Sequence, residues 1–111
     1  MNNEAPYLVR IKEQSWVARL AARKLGFPQV ALVIGNTIHL YNTTRQEFLK
    51  SPRWLTHELK HVEQYRQNGT LPFLIKYLFE SLKNGYYRNK YEMEARAAET
   101  DEHLLKEYKI V

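Results

Sequence analysis

His57-Glu58-Leu59-Lys60-His61 places two imidazoles four residues apart with a carboxylate between them. On a helix, residues i and i+4 project from one face, so both rings can reach a single cation. Zn²⁺ suits this set. It takes His nitrogens in a tetrahedral site, and a catalytic zinc keeps one position open for water. The ion lowers the pKa of that water to about 7, and Glu58 sits where it can accept the proton. His pairs at i, i+3 or i, i+5 do not converge in the same way.

Two His need a third ligand. The metzincin continuation requires a Gly and a third His at positions held here by Gln64 and Gln67, which excludes that arrangement. The remaining choice is a Glu on a following helix. If residues from about Asn89 to Tyr108 form one helix, steps of about 100° put Glu94 on a face with Ala97, Ala98, Asp101, Leu105 and Tyr108. Glu92 falls with Glu99, His103 and Lys106, the more polar side. An ionised carboxylate facing a core is costly unless a cation meets it. Glu94 is therefore the expected third ligand, with Glu92 next. The plainer reading of Glu94 is a partly buried carboxylate paired with a Lys or Arg.

The elements that must carry these residues are legible. Ser15 caps a helix ending near Leu25, with Gly26 as its stop and Pro28 beyond. Val30 to Ile34 is continuously apolar and β-branched, a buried strand. Gly35-Asn36 is a hairpin turn, and Thr37 to Tyr41 alternates as a half-exposed return strand should, near a sheet edge. A short helical turn is expected around Gln46 to Leu49. Ser51-Pro52 opens the helix of the His pair, which Asn68-Gly69 stops. Thr70 opens another helix, with Phe73, Leu74, Tyr77, Leu78 and Leu82 on one face, ended by Asn84-Gly85. Helix, hairpin and three helices make an α+β domain spanning 1–111.

Composition narrows the class. With 111 residues and 44% apolar side chains, one modest core is expected. The absence of Cys removes disulfides, thiolate zinc sites and a cysteine nucleophile. The polar start Met1-Asn2-Asn3-Glu4 lacks a signal-peptide pattern, and no apolar run reaches the ~20 residues of a membrane span, so a cytoplasmic location is expected. The net charge of +5 is spread over every segment, so neither nucleic acid nor a membrane is an expected partner.

His57-Glu58-x-x-His61 followed by Glu94-Ala95 resembles the gluzincin branch of the zincin metallopeptidases. Size and element order resemble most the minimal single-domain members, the minigluzincins. That resemblance implies His57, His61 and Glu94 as ligands of one Zn²⁺, with Glu58 as general base and acid. It also implies a peptide or protein substrate lying along the strand at Ile38 to Tyr41. The chain departs from the large gluzincins, which place an Asp four residues after the ligand Glu; here Ala98 stands there, leaving a carbonyl or Asp101 to orient a ligand His. Tyr86, Tyr87 and Arg88, just before the ligand helix, are the candidates for oxyanion or substrate contacts. The expected function is zinc-dependent peptide hydrolysis. The alternative is a zincin-like metal-binding module without turnover that docks a partner.

Overall fold

The fold is described, over residues 6–111, from a computed structural model; the polar start Met1 to Glu4 lies outside the described residues. The chain forms strand β1 (Tyr7–Lys12), helix α1 (Trp16–Leu25), strands β2 (Val30–Ile34) and β3 (Thr37–Tyr41), and helices α2 (Arg45–Leu49) and α3 (Pro52–Asn68). Helices α4 (Thr70–Arg88), α5 (Lys90–Ala97) and α6 (Glu102–Glu107) follow, then strand β4 (Tyr108–Ile110). This is the α+β arrangement that the sequence implies, with β1 and β4 added to the expected hairpin.

The strand order is β2-β3-β1-β4. β2 and β3 pair antiparallel, with Val33 opposite Ile38 and Ala31 opposite Leu40. β1 runs parallel to β3 on one side and to β4 on the other. The small sheet is therefore mixed. β3 is an interior strand, so the edge position expected for Ile38 to Tyr41 is corrected: Thr37, Ile38 and His39 register with Arg10, Ile11 and Lys12, and the Leu40 carbonyl accepts from the Ser15 N–H at 2.9 Å. β2 and β4 hold the edges. The alternation Val9/Ile11 in β1 was the signal for the missed strand, and its partner is distant in sequence.

Alternation across the pleat builds two apolar layers. Ala31, Val33, Ile38, Leu40, Val9 and Ile11 face one side and pack with Phe48, Leu59, Val62, Phe73 and Leu104. Val30 and Leu32 face the other side and meet Ala18 and Ala22 of α1. The Ser15 hydroxyl accepts from the Ala18 N–H and bonds His39 Nδ1 at 2.8 Å, tying α1 to β3. Gly26 closes α1 at φ 74°, where a side chain is strained.

α3 begins as expected at Pro52, with Ser51 preceding it, although the Ser51 side chain makes no capping bond. One face buries Leu59 and Val62 under the sheet, and α3 packs against β2. The expected single last helix is instead broken. α5 ends at Ala97, Ala98 turns away at φ −90°, ψ 1°, and Asp101 caps α6 by accepting from His103 N–H at 3.0 Å. Among the described residues no helix is long and apolar enough to cross a membrane.

Leu59 is 1% exposed, whereas Leu82 on α4 is 86% exposed. Leu59→Ala is expected to lower stability by about 2–5 kcal/mol in urea unfolding, and Leu82→Ala by less than about 0.5 kcal/mol.

Candidate metal centre

Helical spacing on α3 brings His57 and His61 onto one face, with ring centroids 5.1 Å apart. Between them lies the carboxylate of Glu92, the third residue of α5. His57 Nε2 is 3.0 Å from Glu92 Oε1, and His61 Nε2 is 3.1 Å from Oε2. The Tyr77 hydroxyl, from α4, donates to the same Oε2 at 2.5 Å. One ligand atom from each of His57, His61 and Glu92 lies within 4.8 Å of the other two, so the group can hold a metal ion.

Glu92, rather than the expected Glu94, thus faces the histidines. Glu92 is 4% exposed, while Glu94 is an exposed residue whose carboxylate accepts from Gln64 Nε2 at 2.9 Å. The reason is the break at Ala98. Leu105 and Tyr108 had marked the Glu94 side as apolar, but they lie beyond the end of α5 and carry no information about its faces. Within α5 the buried residues are Glu92 and Ala95. Ala95, fully buried, lets α5 lie close to α3, whereas Ala97 is exposed.

Asn89 fixes where α5 starts. Fully buried, it donates through Nδ2 to the Tyr77 carbonyl at 3.0 Å and to Ser81 Oγ at 2.8 Å. Its Oδ1 accepts from the Tyr91 N–H at 2.9 Å and caps the helix. α5 is thereby pinned to α4 three residues before Glu92.

Each imidazole has a second partner. His57 Nδ1 is 2.8 Å from Glu99 Oε2, and His61 Nδ1 is 2.8 Å from Gln64 Oε1. The Glu99 carboxylate also meets Arg53 at 3.4 Å. An acceptor at Nδ1 keeps the proton there and turns Nε2 towards the centre, the arrangement a metal-ligating His needs. Glu99 does for His57 what Asp101 was a candidate to do; Asp101 is committed to the α6 cap.

Electrostatics follow from this packing. Burial alone would raise the Glu92 carboxyl, but the bonds from His57, His61 and Tyr77 hold it well below the usual carboxylate range. Burial opposes protonation of His57 and His61, yet their bonds to Glu92 outweigh it and raise both. Glu58, on α3 between them, is 4% exposed. Burial pushes it up to about 8; His61 pulls it down, and Glu92 and Glu99 add to the rise. Burial and the Glu92 charge push the Tyr77 phenol well up. Without a metal, His57 and His61 are the groups that face the Glu92 carboxylate. A divalent cation can satisfy that charge through the three converging donors, so the residues present fit such an ion.

Of the three candidate contacts before α5, only Tyr86 approaches the centre. Gly85 breaks α4 at φ 81°, ψ 169°, a backbone that favours glycine, and turns the chain there. Tyr86 is half-buried, edge-on to Phe27 at 5.8 Å, and near enough to Glu92 and Glu58 that burial and their charges push its phenol up. Tyr87 is 71% exposed, its ring under the Arg96 guanidinium and its carbonyl accepting from Arg96. Arg88 is exposed. Sequence reasoning missed Tyr77, Gln64 and Glu99. Gln64 had a signal, since i+3 from His61 is a helical neighbour.

No protein family, curated protein or solved structure matches the chain. The site therefore stands on its own geometry.

Glu92→Ala is expected to weaken divalent-metal binding more than about 100-fold, with Zn²⁺ as the probe in competition with a chromophoric chelator, because two His rarely hold an ion alone. Glu94→Ala should cost only several-fold. Equal losses would return Glu94 to the ligand set.

Glu58 sets a pH dependence in the metal-free chain. Its folded pKa of about 8 lies above the ordinary 4.5, so the unfolded chain gives up the proton first as pH rises. Its contribution to stability is therefore fully present below pH 4.5 and is lost between there and pH 8. Metal-free Glu58→Gln is expected to exceed the wild type at pH 7 by on the order of 3 kcal/mol in urea unfolding, with the gap closing near pH 4.5. A gap independent of pH would show that Glu58 is not the group responsible.

Proposed function

We propose that this chain is a small zinc-dependent peptidase, hydrolysing peptide bonds with a water deprotonated by Glu58. The observation that carries the reading is the convergence of His57 Nε2, His61 Nε2 and the Glu92 carboxylate within 4.8 Å, with Glu58 on the same helix. When bound, zinc supplies Lewis acidity, polarising the scissile carbonyl and lowering the pKa of water to about 7. His57, His61 and Glu92 would hold it. Glu58 takes the proton of the attacking water and returns it to the leaving amine. Glu99 and Gln64 keep the rings aligned. In this reading Tyr86, which feels the charges of Glu92 and Glu58, would meet the developing oxyanion, and the exposed Tyr87 and Arg88 would not. A substrate peptide that extends the sheet does so at β2, the edge against which α3 packs, in place of the interior Ile38 to Tyr41 strand. The lack of Cys suits a reducing compartment such as the cytoplasm.

The second reading, a metal-holding module without turnover, is favoured by how closed the centre is. The His57, His61 and Glu92 side chains are 13%, 8% and 5% exposed, and Tyr77 occupies one carboxylate oxygen. A substrate carbonyl must find room beside these side chains.

Digestion of a denatured protein by zinc-loaded chains separates the two. The wild type is expected to cleave, and zinc-loaded Glu58→Gln is expected to bind the ion without cleaving. No cleavage by zinc-loaded wild type across varied substrates would leave the second reading. Tyr86→Phe should lower turnover on the order of 100-fold without changing zinc affinity, whereas Tyr87→Phe should leave turnover unchanged.

A further inference from the structure

The Gln64 side chain is a clamp whose direction is not free. Its Nε2 donates to two acceptors, the Tyr91 carbonyl at 3.2 Å and Glu94 Oε1 at 2.9 Å. Both acceptors are without protons to give, so the amide cannot turn round without setting its carbonyl against a carboxylate and a second carbonyl. Gln64 Oε1 must then face His61 Nδ1, 2.8 Å away. An amide oxygen only accepts, so Nδ1 must carry the hydrogen. This matters because Glu92 pulls the other way. At 3.1 Å from Nε2 its carboxylate favours a hydrogen on that nitrogen, which would block it as a ligand.

We propose that Gln64, locked in orientation by Glu94, is the positioning residue that holds His61 in its Nδ1–H tautomer and keeps the Nε2 lone pair for the metal. Glu94 thus serves the centre from its exposed position on α5, two steps from the ion, through the amide rather than by ligation. The two imidazoles are held by different chemistry. His57 has a carboxylate, Glu99, at Nδ1, and His61 has a neutral amide. Glu58, Glu92 and Glu99 already crowd the site with carboxylates, and an amide fixes the tautomer without adding another.

The role rests on the proposed metal centre, but its first test does not need the metal. Nitrogen-15 NMR of the metal-free chain, at a pH above the titration of the imidazoles, reads the His61 tautomer directly. The wild type is expected to show Nδ1–H. Gln64→Leu is expected to move His61 to Nε2–H, and Glu94→Leu, an exposed substitution that spares the fold, to give a mixture. Glu94→Gln retains an acceptor for Gln64 and should restore the wild-type signal. Zinc competition then follows the same order: about 10- to 100-fold weaker for Gln64→Leu, several-fold weaker for Glu94→Leu, and near wild type for Glu94→Gln. An Nε2–H tautomer in the wild type, or an unchanged tautomer in both leucine variants, overturns the proposal. Failure of the wild type to bind zinc while the tautomers shift as stated would refute the metal centre and leave the clamp standing.

Discussion

A carboxylate buried between two imidazoles is the constraint around which the rest of this molecule is arranged. Glu92 is 4% exposed, and an ionised group so placed must be met by positive charge and hydrogen bonds. His57, His61 and Tyr77 meet it. Three helices must therefore arrive at one point with errors smaller than a hydrogen bond tolerates. α3 supplies the rings, α4 the phenol and α5 the carboxylate.

Much of the packing around α3, α4 and α5 supports that meeting. α3 is held against the sheet by Leu59 and Val62, which lie in the same apolar layer as Val33, Ile38 and Leu40. Phe73 packs against both Tyr65 of α3 and Tyr91 of α5, at centroid distances of 4.6 and 4.8 Å, so the three helices share one aromatic core beside the site. Asn89 ties the start of α5 to α4 by hydrogen bonds, and Ala95 admits α5 to α3 without a bulky side chain between them. The carboxylate is aimed by packing on one side and by a buried amide on the other.

The same economy explains why the centre needs few residues of its own. Glu99, just past the end of α5, reaches back to His57 because the chain turns at Ala98 rather than running on. Gln64 is one turn along α3 from His61. The partners that orient the rings thus come from the same stretch of chain as His57, His61 and Glu92, and no additional subdomain is required to supply them.

The sequence alone determined the His pair, Glu58 and the helix that carries them, because i, i+4 geometry is local and the signals Ser51-Pro52 and Asn68-Gly69 bound it. It determined the β2-β3 hairpin for the same reason, through Gly35-Asn36. What depends on distant partners was not legible. Strand β1 pairs with β3 and β4, residues far along the chain, and this turned the expected edge at Ile38 to Tyr41 into an interior strand. The choice between Glu92 and Glu94 turned on whether one helix runs through Ala98. Periodicity gives the angle between neighbours on a continuous helix, but it does not say where the helix stops or which way its faces point. The face holding Glu92 and Glu99 looked polar by composition. Only the packing of α5 against α3 and α4 decided that it faces inward, towards two imidazoles that make its burial tolerable.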